Sequence, residues 1–207
     1  MRFFPNAQQL GYHLPLRCIP EPLRQLPVLG FVRNPWSYYV SWYEFQSRKA
    51  TPNALFRCAS DNRNLDFAGT IDNLLHLGDN AIMLDDLLQR LPTGYGDQGL
   101  NLPASALAPI RGTGMGFYSY LYRYMYSGSQ SKPFVGRMET LRTDLLAFLA
   151  ESGERVTPEL RRFIQQEPPR NRSVHGDYRD YYNKRLAAQV AQCDHEVIEE
   201  FGYRFDD

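Results

Sequence analysis

A short apolar run that ends in an arginine and a helix start constrains this chain more than any other feature. Residues 27–32 read Pro-Val-Leu-Gly-Phe-Val, which is the length of a buried strand. Asn34 is a good helix N-cap, and Pro35 suits the first helical position. We therefore predict a strand, then Arg33, then a helix. Open α/β sheets bind ligands at that end of a strand, and helix N-termini favour anions.

The helix after Arg33 has two distinguishable faces. Its core-facing stripe recurs at i, i+3, i+4 and i+7 and consists of Trp36, Tyr39, Val40 and Tyr43. Ser41 lies on another face with Asn34, so its hydroxyl can point back toward Arg33. A guanidinium and a hydroxyl aimed at the same space predict a phosphate clamp. The alternative is a salt-bridged arginine and a solvent-facing serine on an ordinary helix.

Residues 33–45 also resemble a known functional segment. The sequence Arg-Asn-Pro-Trp-Ser-Tyr-Tyr-Val-Ser-Trp-Tyr-Glu-Phe is similar to the 3′-phosphate-binding segment of sulfotransferases that use 3′-phosphoadenosine-5′-phosphosulfate (PAPS). In that family an arginine ends a strand and a serine follows eight positions later. Arg33 and Ser41 keep this spacing. The resemblance implies that both hold the 3′-phosphate of the nucleotide.

A second match lies upstream of this segment. His13-Leu14-Pro15 resembles the His-Leu-Pro segment in which many sulfotransferases carry their catalytic base. Sulfuryl transfer to a hydroxyl requires removal of the acceptor proton, and a histidine that titrates near neutrality suits this role. The resemblance implies that His13 is the base. The alternative is a surface histidine in a short loop.

A fainter match lies near the C-terminus. Residues 171–178 resemble the family's Arg-Lys-Gly-x-x-Gly-Asp-Trp loop, which closes over the cofactor. Gly176 and Asp177 match this loop, and Arg172 stands where a basic residue is expected. Ser173 replaces a glycine of the family pattern. The resemblance implies that Arg172 and Ser173 are further cofactor contacts.

The resemblance runs from about residue 11 to the C-terminus and covers residues 50–130 only loosely. It implies an α/β fold of the P-loop NTP-hydrolase type, helix-rich, with three layers, a central parallel sheet and one domain over residues 1–207. A second short strand is expected at 133–136. Helical periodicity predicts further helices over residues 66–77, 81–91, 139–150, 158–166 and 184–201.

The stretch between these helices contains two further features. Residues 92–116 are rich in Gly, Pro and Ala, which predicts a long irregular loop. Residues 117–126 carry five tyrosines in ten positions. One interpretation is a core helix with hydrated tyrosine hydroxyls. The other is an aromatic wall of an acceptor pocket.

One family signature is missing from the chain. PAPS-dependent sulfotransferases carry a Pro-Lys-Ser/Thr-Gly-Thr-Thr loop after their first strand, which cradles the 5′-phosphosulfate with backbone N–H groups. Residues 1–12 contain no lysine and no Gly-rich turn. We expect that this chain lacks roughly twenty to thirty residues of the ancestral domain, the length of one strand, loop and helix. Either a gene start assigned too far downstream or a degenerate, inactive paralogue would produce this truncation.

Composition limits the partners of the chain. The 23 Lys and Arg residues balance the 23 Asp and Glu residues, so a nucleic-acid partner is not expected. The sequence contains no run of eighteen apolar residues, so an integral membrane segment is not expected. The three cysteines show neither metal-ligand spacing nor a disulfide framework, which favours a reducing cytoplasm and no metal. The family's Golgi members carry a membrane anchor upstream, so an anchor before Met1 remains an alternative.

The expected activity follows from the resemblance. It implies an enzyme that transfers a sulfuryl group from PAPS, as co-substrate, to a hydroxyl or amine of an acceptor such as a carbohydrate, a lipid or a small alcohol. One alternative is a catalytically inactive relative that acts as a nucleotide-binding or protein-interaction module. A nucleotide kinase of the P-loop superfamily is disfavoured, because the chain lacks a Walker-type Gly-Lys-Ser/Thr.

The expected truncation predicts a difference in stability. A missing strand beside residues 27–32 would leave backbone N–H and C=O groups unpaired and apolar faces exposed. We expect an N-terminally extended chain to melt at a higher temperature than the 207-residue chain. Thermal melts of the two chains test this expectation, and equal melting temperatures would contradict it.

Overall fold

The computed structural model describes residues 3–4, 7–96, 101–128, 132–168 and 175–207. Two strands and ten α-helices lie within these residues. The strands are β1 (Leu29–Val32) and β2 (Phe134–Arg137). The helices are α1 (Pro35–Ser47), α2 (Ala54–Ala59), α3 (Phe67–Leu75), α4 (Ala81–Arg90), α5 (Ala104–Leu107), α6 (Phe117–Tyr126), α7 (Leu141–Glu151), α8 (Pro158–Gln166), α9 (Lys184–Cys193) and α10 (His195–Phe201).

The chain divides into two compact units. The first unit consists of Met1–Val32, Gly96–Asn101 and Met125–Arg172. The second unit consists of Arg33–Tyr95, Leu102–Tyr124 and Ser173–Asp207. The first therefore holds the sheet with α7 and α8, and the second holds α1 to α5, α9 and α10.

The sheet of the first unit is a parallel pair of strands, in agreement with the parallel sheet that the resemblance implied. Its register runs from Leu29 opposite Phe134 to Val32 opposite Arg137. Both predicted strands are confirmed within two residues of their expected bounds. Helices with a parallel strand pair place the described part of the chain in the α/β class.

A tyrosine hydroxyl bonds the backbone of β1. The Phe31 N–H donates to the Tyr126 hydroxyl oxygen at 3.0 Å, and the same hydroxyl donates to the Phe31 carbonyl at 3.1 Å. The ring lies against Gly30, where an added Cβ would overlap it. The expectation that a missing strand leaves backbone groups of β1 unpaired is therefore wrong at Phe31. A side chain takes the place that a neighbouring strand would fill.

Two helices of the first unit form a small hairpin. Leu149 of α7 packs against Leu160 and Ile164 of α8. The Arg142 guanidinium donates to the carbonyl oxygens of Gln165 and Glu167, the latter at 2.6 Å. A cation at the carbonyl end of α8 satisfies acceptors that the helix leaves open and complements its dipole. The bounds predicted for α8 are confirmed.

The core of the second unit forms around α1. Trp36, Tyr39 and Val40 of the predicted stripe are buried, whereas Tyr43 is half-buried. Tyr43 nevertheless meets the ring of Phe67 edge-on, with centroids 5.3 Å apart. The stripe is therefore confirmed as the face that packs inward.

Two sequence predictions about the second unit need correction. The helix predicted over 184–201 is two helices, because the backbone leaves helical geometry at Asp194. The loop predicted over 92–116 contains α5 and a 3₁₀ turn at Ala108–Ile110, with residues 97–100 outside the described part. The Ala104 N–H donates to the Pro92 carbonyl at 2.9 Å and fixes the start of α5. At both places hydrogen bonds between distant residues decide the backbone conformation, against the local sequence preference.

No helix within the described ranges combines the length and apolar character needed to cross a bilayer. All three cysteines, Cys18, Cys58 and Cys193, are free thiols.

The contact between Gly30 and Tyr126 predicts a stability effect. We expect Gly30→Ala to lower the free energy of unfolding by about 1–3 kcal/mol, because the new methyl group overlaps the Tyr126 ring. Urea denaturation measures the change. Gly94→Ala is the matched control, because a Cβ there meets no atom within 4 Å. Equal stabilities of the two variants would contradict the close approach.

Candidate functional site

Arg33 lies where the sequence predicted it, between a strand and a helix. It follows Val32, the last residue of β1, and precedes Asn34, the N-cap of α1. The Arg33 N–H donates to the Tyr118 hydroxyl at 2.8 Å. The side chain is half-buried. This bond to Tyr118 fixes the backbone of Arg33.

The start of α1 is held by the predicted cap. The Asn34 side-chain oxygen accepts the Ser37 N–H at 3.2 Å, and its amide nitrogen donates to the Arg204 carbonyl at 3.0 Å. Pro35 occupies the first helical position, where its missing N–H costs no hydrogen bond. The cap thus ties the helix start to the C-terminal segment of the same unit.

Ser41 lies on α1 and is half-buried. It follows Asn34 by seven residues, about two helical turns, so the two residues share a helix face. Arg33 and Ser41 both belong to the second unit. The structure therefore confirms the strand, arginine and helix arrangement, and the joint role of Arg33 and Ser41 at a phosphate stays a prediction.

An aromatic stack lies beside the start of α1. The rings of Tyr38 and Tyr118 are parallel within 22°, with centroids 4.0 Å apart. Burial raises the pKa of Tyr38 above its ordinary range. Tyr118 therefore contacts the Arg33 region twice, by its hydroxyl on the Arg33 N–H and by its ring on the first turn of α1.

A buried carboxylate organises this region. Asp194 has no exposed surface, and its two oxygens accept the Ser119 N–H at 2.7 Å and the Tyr39 hydroxyl at 2.8 Å. The Tyr39 oxygen in turn accepts the Tyr118 N–H at 3.1 Å. Asp194 thereby links α1 to the first turn of α6 from the junction of α9 and α10.

Asp194 acts as the N-cap of α6, although it is distant from α6 in sequence. Gly116 precedes α6 and carries no side chain that could bond the free N–H groups of the first turn. Asp194 supplies the oxygen instead, from a distant part of the chain. A Cβ at Gly116 would come within 2.6 Å of the Asp194 carboxylate, so the absence of a side chain is what admits it.

Burial also changes the acidity of Asp194. Desolvation raises its pKa to about 6, against the lowering effect of the Ser119 N–H and of the Tyr39 hydroxyl. The same desolvation raises the pKa of Tyr39 well above its ordinary value. Near neutral pH the carboxylate is therefore charged and buried, with hydrogen bonds from Ser119 and Tyr39.

The predicted catalytic base lies in the first unit. His13 is exposed, and its backbone has a φ of 48°. The preceding residue is fixed, because the Tyr12 carbonyl accepts a bond from the Asn101 amide nitrogen at 2.5 Å. His13 belongs to a different unit from Arg33 and Ser41. Its role as a base stays a prediction.

The other predicted cofactor contacts, Arg172 and Ser173, lie outside the described residues. The matched residue Asp177 is described. It caps a 3₁₀ turn at Tyr178–Tyr181 and pairs with the Arg179 guanidinium at 2.5 Å. This pairing lowers the pKa of Asp177 to about 2. The turn is anchored by the Tyr182 hydroxyl, which donates to the Trp36 carbonyl at 2.9 Å.

The tyrosine-rich helix α6 uses its hydroxyls internally. Four of them bond other parts of the chain: Tyr118 to Arg33, Tyr120 to Ala106, Tyr124 to Tyr95 and Tyr126 to Phe31. These bonds favour the interpretation of α6 as a packed core helix over an aromatic pocket wall. Across the described ranges, no group of three or more His, Cys, Asp or Glu side chains is placed to hold a metal ion.

Sequence reasoning missed Asp194 and Tyr118 as organisers of the site. A signal for Asp194 was present, since it follows Val190 by four positions and precedes Val197 by three. It therefore continues the apolar stripe of its helix, where an acidic residue requires a buried partner. No comparable signal marks Tyr118, because five tyrosines in ten residues do not distinguish one from another.

The buried position of Asp194 predicts a pH dependence of stability. Its pKa in the folded chain, about 6, lies above its ordinary value of 3.8, so the folded state binds the proton more tightly. The stability that this raised pKa of Asp194 contributes to the fold is therefore fully present below pH 4 and is lost as the pH rises through 6. We expect the stability of the native chain relative to Asp194→Asn to fall by about 2.5 kcal/mol between pH 4 and pH 7.

Urea denaturation of both chains at each pH measures this difference. Asp177→Asn is the control, because the Asp177 pKa is lowered to about 2, so its contribution is lost only in acid, below about pH 4. A native-to-Asp194→Asn difference that stays constant from pH 4 to pH 7 would contradict the assignment.

Comparisons with known proteins identify no relative. The chain matches no protein-family model, no curated protein and no solved structure. Support for a function therefore comes from the residues of the chain and the geometry of the site.

Proposed function

We propose that this chain binds a 3′-phosphorylated adenine nucleotide and acts as a PAPS-dependent sulfotransferase. The observation that carries the proposal is the placement of Arg33 directly after a parallel strand and directly before the N-capped helix that carries Ser41. Ligands of open α/β sheets bind at this end of the strands. The proposed fold is of the P-loop NTP-hydrolase type with a central parallel sheet.

Arg33 and Ser41 form the proposed 3′-phosphate clamp. The Arg33 guanidinium offers a planar pair of N–H donors to two phosphate oxygens, and the Ser41 hydroxyl donates to a third. Asn34 and Tyr118 fix the backbone on either side of Arg33, which reduces the entropy lost when the nucleotide binds. Arg172 and Ser173 are the proposed further contacts.

The proposed reaction moves one sulfuryl group. The acceptor hydroxyl or amine attacks the sulfur of PAPS as His13 takes its proton, and the bond from sulfur to the 5′-phosphate oxygen breaks. The products are the sulfated acceptor and adenosine 3′,5′-bisphosphate. An exposed imidazole in a fixed turn can take such a proton. No metal ion is proposed for any step.

The first test is a calorimetric titration with adenosine 3′,5′-bisphosphate. We expect the native chain to bind it and Arg33→Ala to bind it at least tenfold more weakly, about the effect of one charge-assisted pair. Ser41→Ala should weaken binding less. The Arg33→Ala chain keeps the backbone N–H that Tyr118 accepts, so it should remain folded.

Two controls make this test specific. Adenosine 5′-monophosphate lacks the 3′-phosphate, so its binding should not change in Arg33→Ala. Arg48→Ala removes an exposed arginine from the end of the same helix, where it pairs with Glu44, and should bind like the native chain. Failure of a folded native chain to bind the bisphosphate would refute the proposal.

Nucleotide binding without sulfuryl transfer would support the alternative of an inactive nucleotide-binding module. A screen of carbohydrate, lipid and small alcohol acceptors with PAPS separates the two functions. Loss of transfer in His13→Ala with unchanged nucleotide binding would identify His13 as the base.

A further inference from the structure

A cavity of about 500 Å³ lies in the second unit, between α2, the turn after it and one side of α4. Its volume is within the range of small-molecule sites. Arg57, Asp61, Ile82 and Met83 are among its lining residues. None of them belongs to the proposed nucleotide site, so a role for this cavity does not depend on the proposed function.

Arg57 brings an unpaired cation to this cavity. The residue is half-buried, and within the described ranges its guanidinium makes no hydrogen bond and no ion pair. Arg90, which lines the same cavity, shows the contrast, because both its Nε and Nη2 bond Asp86, at 3.0 and 2.7 Å. A half-buried guanidinium without a partner keeps its donors available to an anionic group.

Asp61 brings an unpaired anion to the same cavity. Its carboxylate accepts a bond from the neutral Asn64 amide at 3.2 Å. In the described part of the chain no cation lies within 4.0 Å of it, so Asp61 and Arg57 do not neutralise each other. The cavity lining therefore contains one cation and one anion that have no ionic partner in the described part of the chain.

Two apolar side chains, Ile82 and Met83, also line the cavity. The Ile82 side chain is 86% exposed, and Met83 follows it on the first turn of α4. An exposed isoleucine beside two unpaired charges gives a ligand both polar anchors and an apolar contact.

Cys58 does not act as a nucleophile in this cavity. Its thiol lies 3.5 Å from the Met83 carbonyl and 3.9 Å from an Asp86 carboxylate oxygen. Burial and the nearby Asp86 raise its pKa, so it stays protonated near neutral pH. Reversible binding is therefore the chemistry that these residues support.

We propose that this cavity binds a free apolar α-amino acid. The ligand carboxylate pairs with Arg57, its ammonium group pairs with Asp61, and its side chain packs on Ile82 and Met83. A doubly charged phosphate fits less well, because Asp61 places a carboxylate without an ionic partner in the same wall as Arg57. A zwitterion carries one group of each sign, which matches the unpaired Arg57 guanidinium and the unpaired Asp61 carboxylate.

The test is a calorimetric titration of the full chain with L-leucine, L-methionine and L-phenylalanine. We expect at least one of them to bind. Two leucine analogues divide the recognition into parts: 4-methylpentanoate lacks the ammonium group, and isoamylamine lacks the carboxylate. Each should bind at least fivefold more weakly than L-leucine if L-leucine binds.

Variants assign the binding to the cavity. Arg57→Ala should weaken amino-acid binding at least tenfold, and Asp61→Asn should remove the preference for L-leucine over 4-methylpentanoate. Arg57→Gln is the second variant should Arg57→Ala fold poorly. Arg48→Ala, an exposed arginine that does not line the cavity, is the matched control.

Three results would overturn the proposal. They are the absence of binding by all three amino acids, binding that Arg57→Ala leaves unchanged, and equal affinity for L-leucine and either analogue. Adenosine 3′,5′-bisphosphate binding in Arg57→Ala should match that of the native chain, so failure at this cavity is distinguishable from failure of the nucleotide site.

Discussion

The second unit depends on one buried carboxylate. Asp194 joins three parts of the chain, because it leaves the helical run of α9 and α10, accepts the Ser119 N–H of α6 and accepts the hydroxyl of Tyr39 on α1. Removing a carboxylate from water is costly, and these bonds offset only part of that cost, as the raised pKa of about 6 indicates. Its retention at the helix junction is consistent with a role in specifying how α1, α6 and α9 meet.

The placement of Arg33 depends on this network. Tyr118 stands between Asp194 and Arg33, since its N–H donates to the Tyr39 oxygen and its hydroxyl accepts the Arg33 N–H. The backbone of Arg33 is thus held by the Tyr118 hydroxyl, and Tyr118 is held through Tyr39 by the Asp194 carboxylate. A residue whose backbone is fixed by others is suited to present its side chain to a ligand.

The arginines of the second unit differ in their carboxylate partners. Arg90 and Arg179 bond carboxylates close to them in sequence, at i−4 and i−2, and such pairs at the surface contribute little to stability. Arg57 has no such partner within the described residues, although it is half-buried in a cavity wall. Whether an arginine has an ionic partner depends on which carboxylates the packing brings near it. The composition of the chain does not show this.

The sequence alone determined the local structure of the chain. The order of strand, Arg33 and helix, the Asn34 cap and the bounds of α8 are all set by residues a few positions apart, where propensity and periodicity act. A parallel sheet and strands near residues 27–32 and 133–136 were also expected, whereas the direct pairing of these two strands was not.

Only the tertiary structure decided how distant groups are satisfied. The helical run breaks at Asp194, whose carboxylate bonds the first turn of α6, and the Tyr126 hydroxyl bonds the backbone of Phe31. Both contacts join residues more than seventy positions apart. A buried polar group needs a partner, but the sequence does not say which, because many donors and acceptors are available before packing selects one. The same selection left Arg57 and Asp61 unpaired in one cavity, which no local pattern could have indicated.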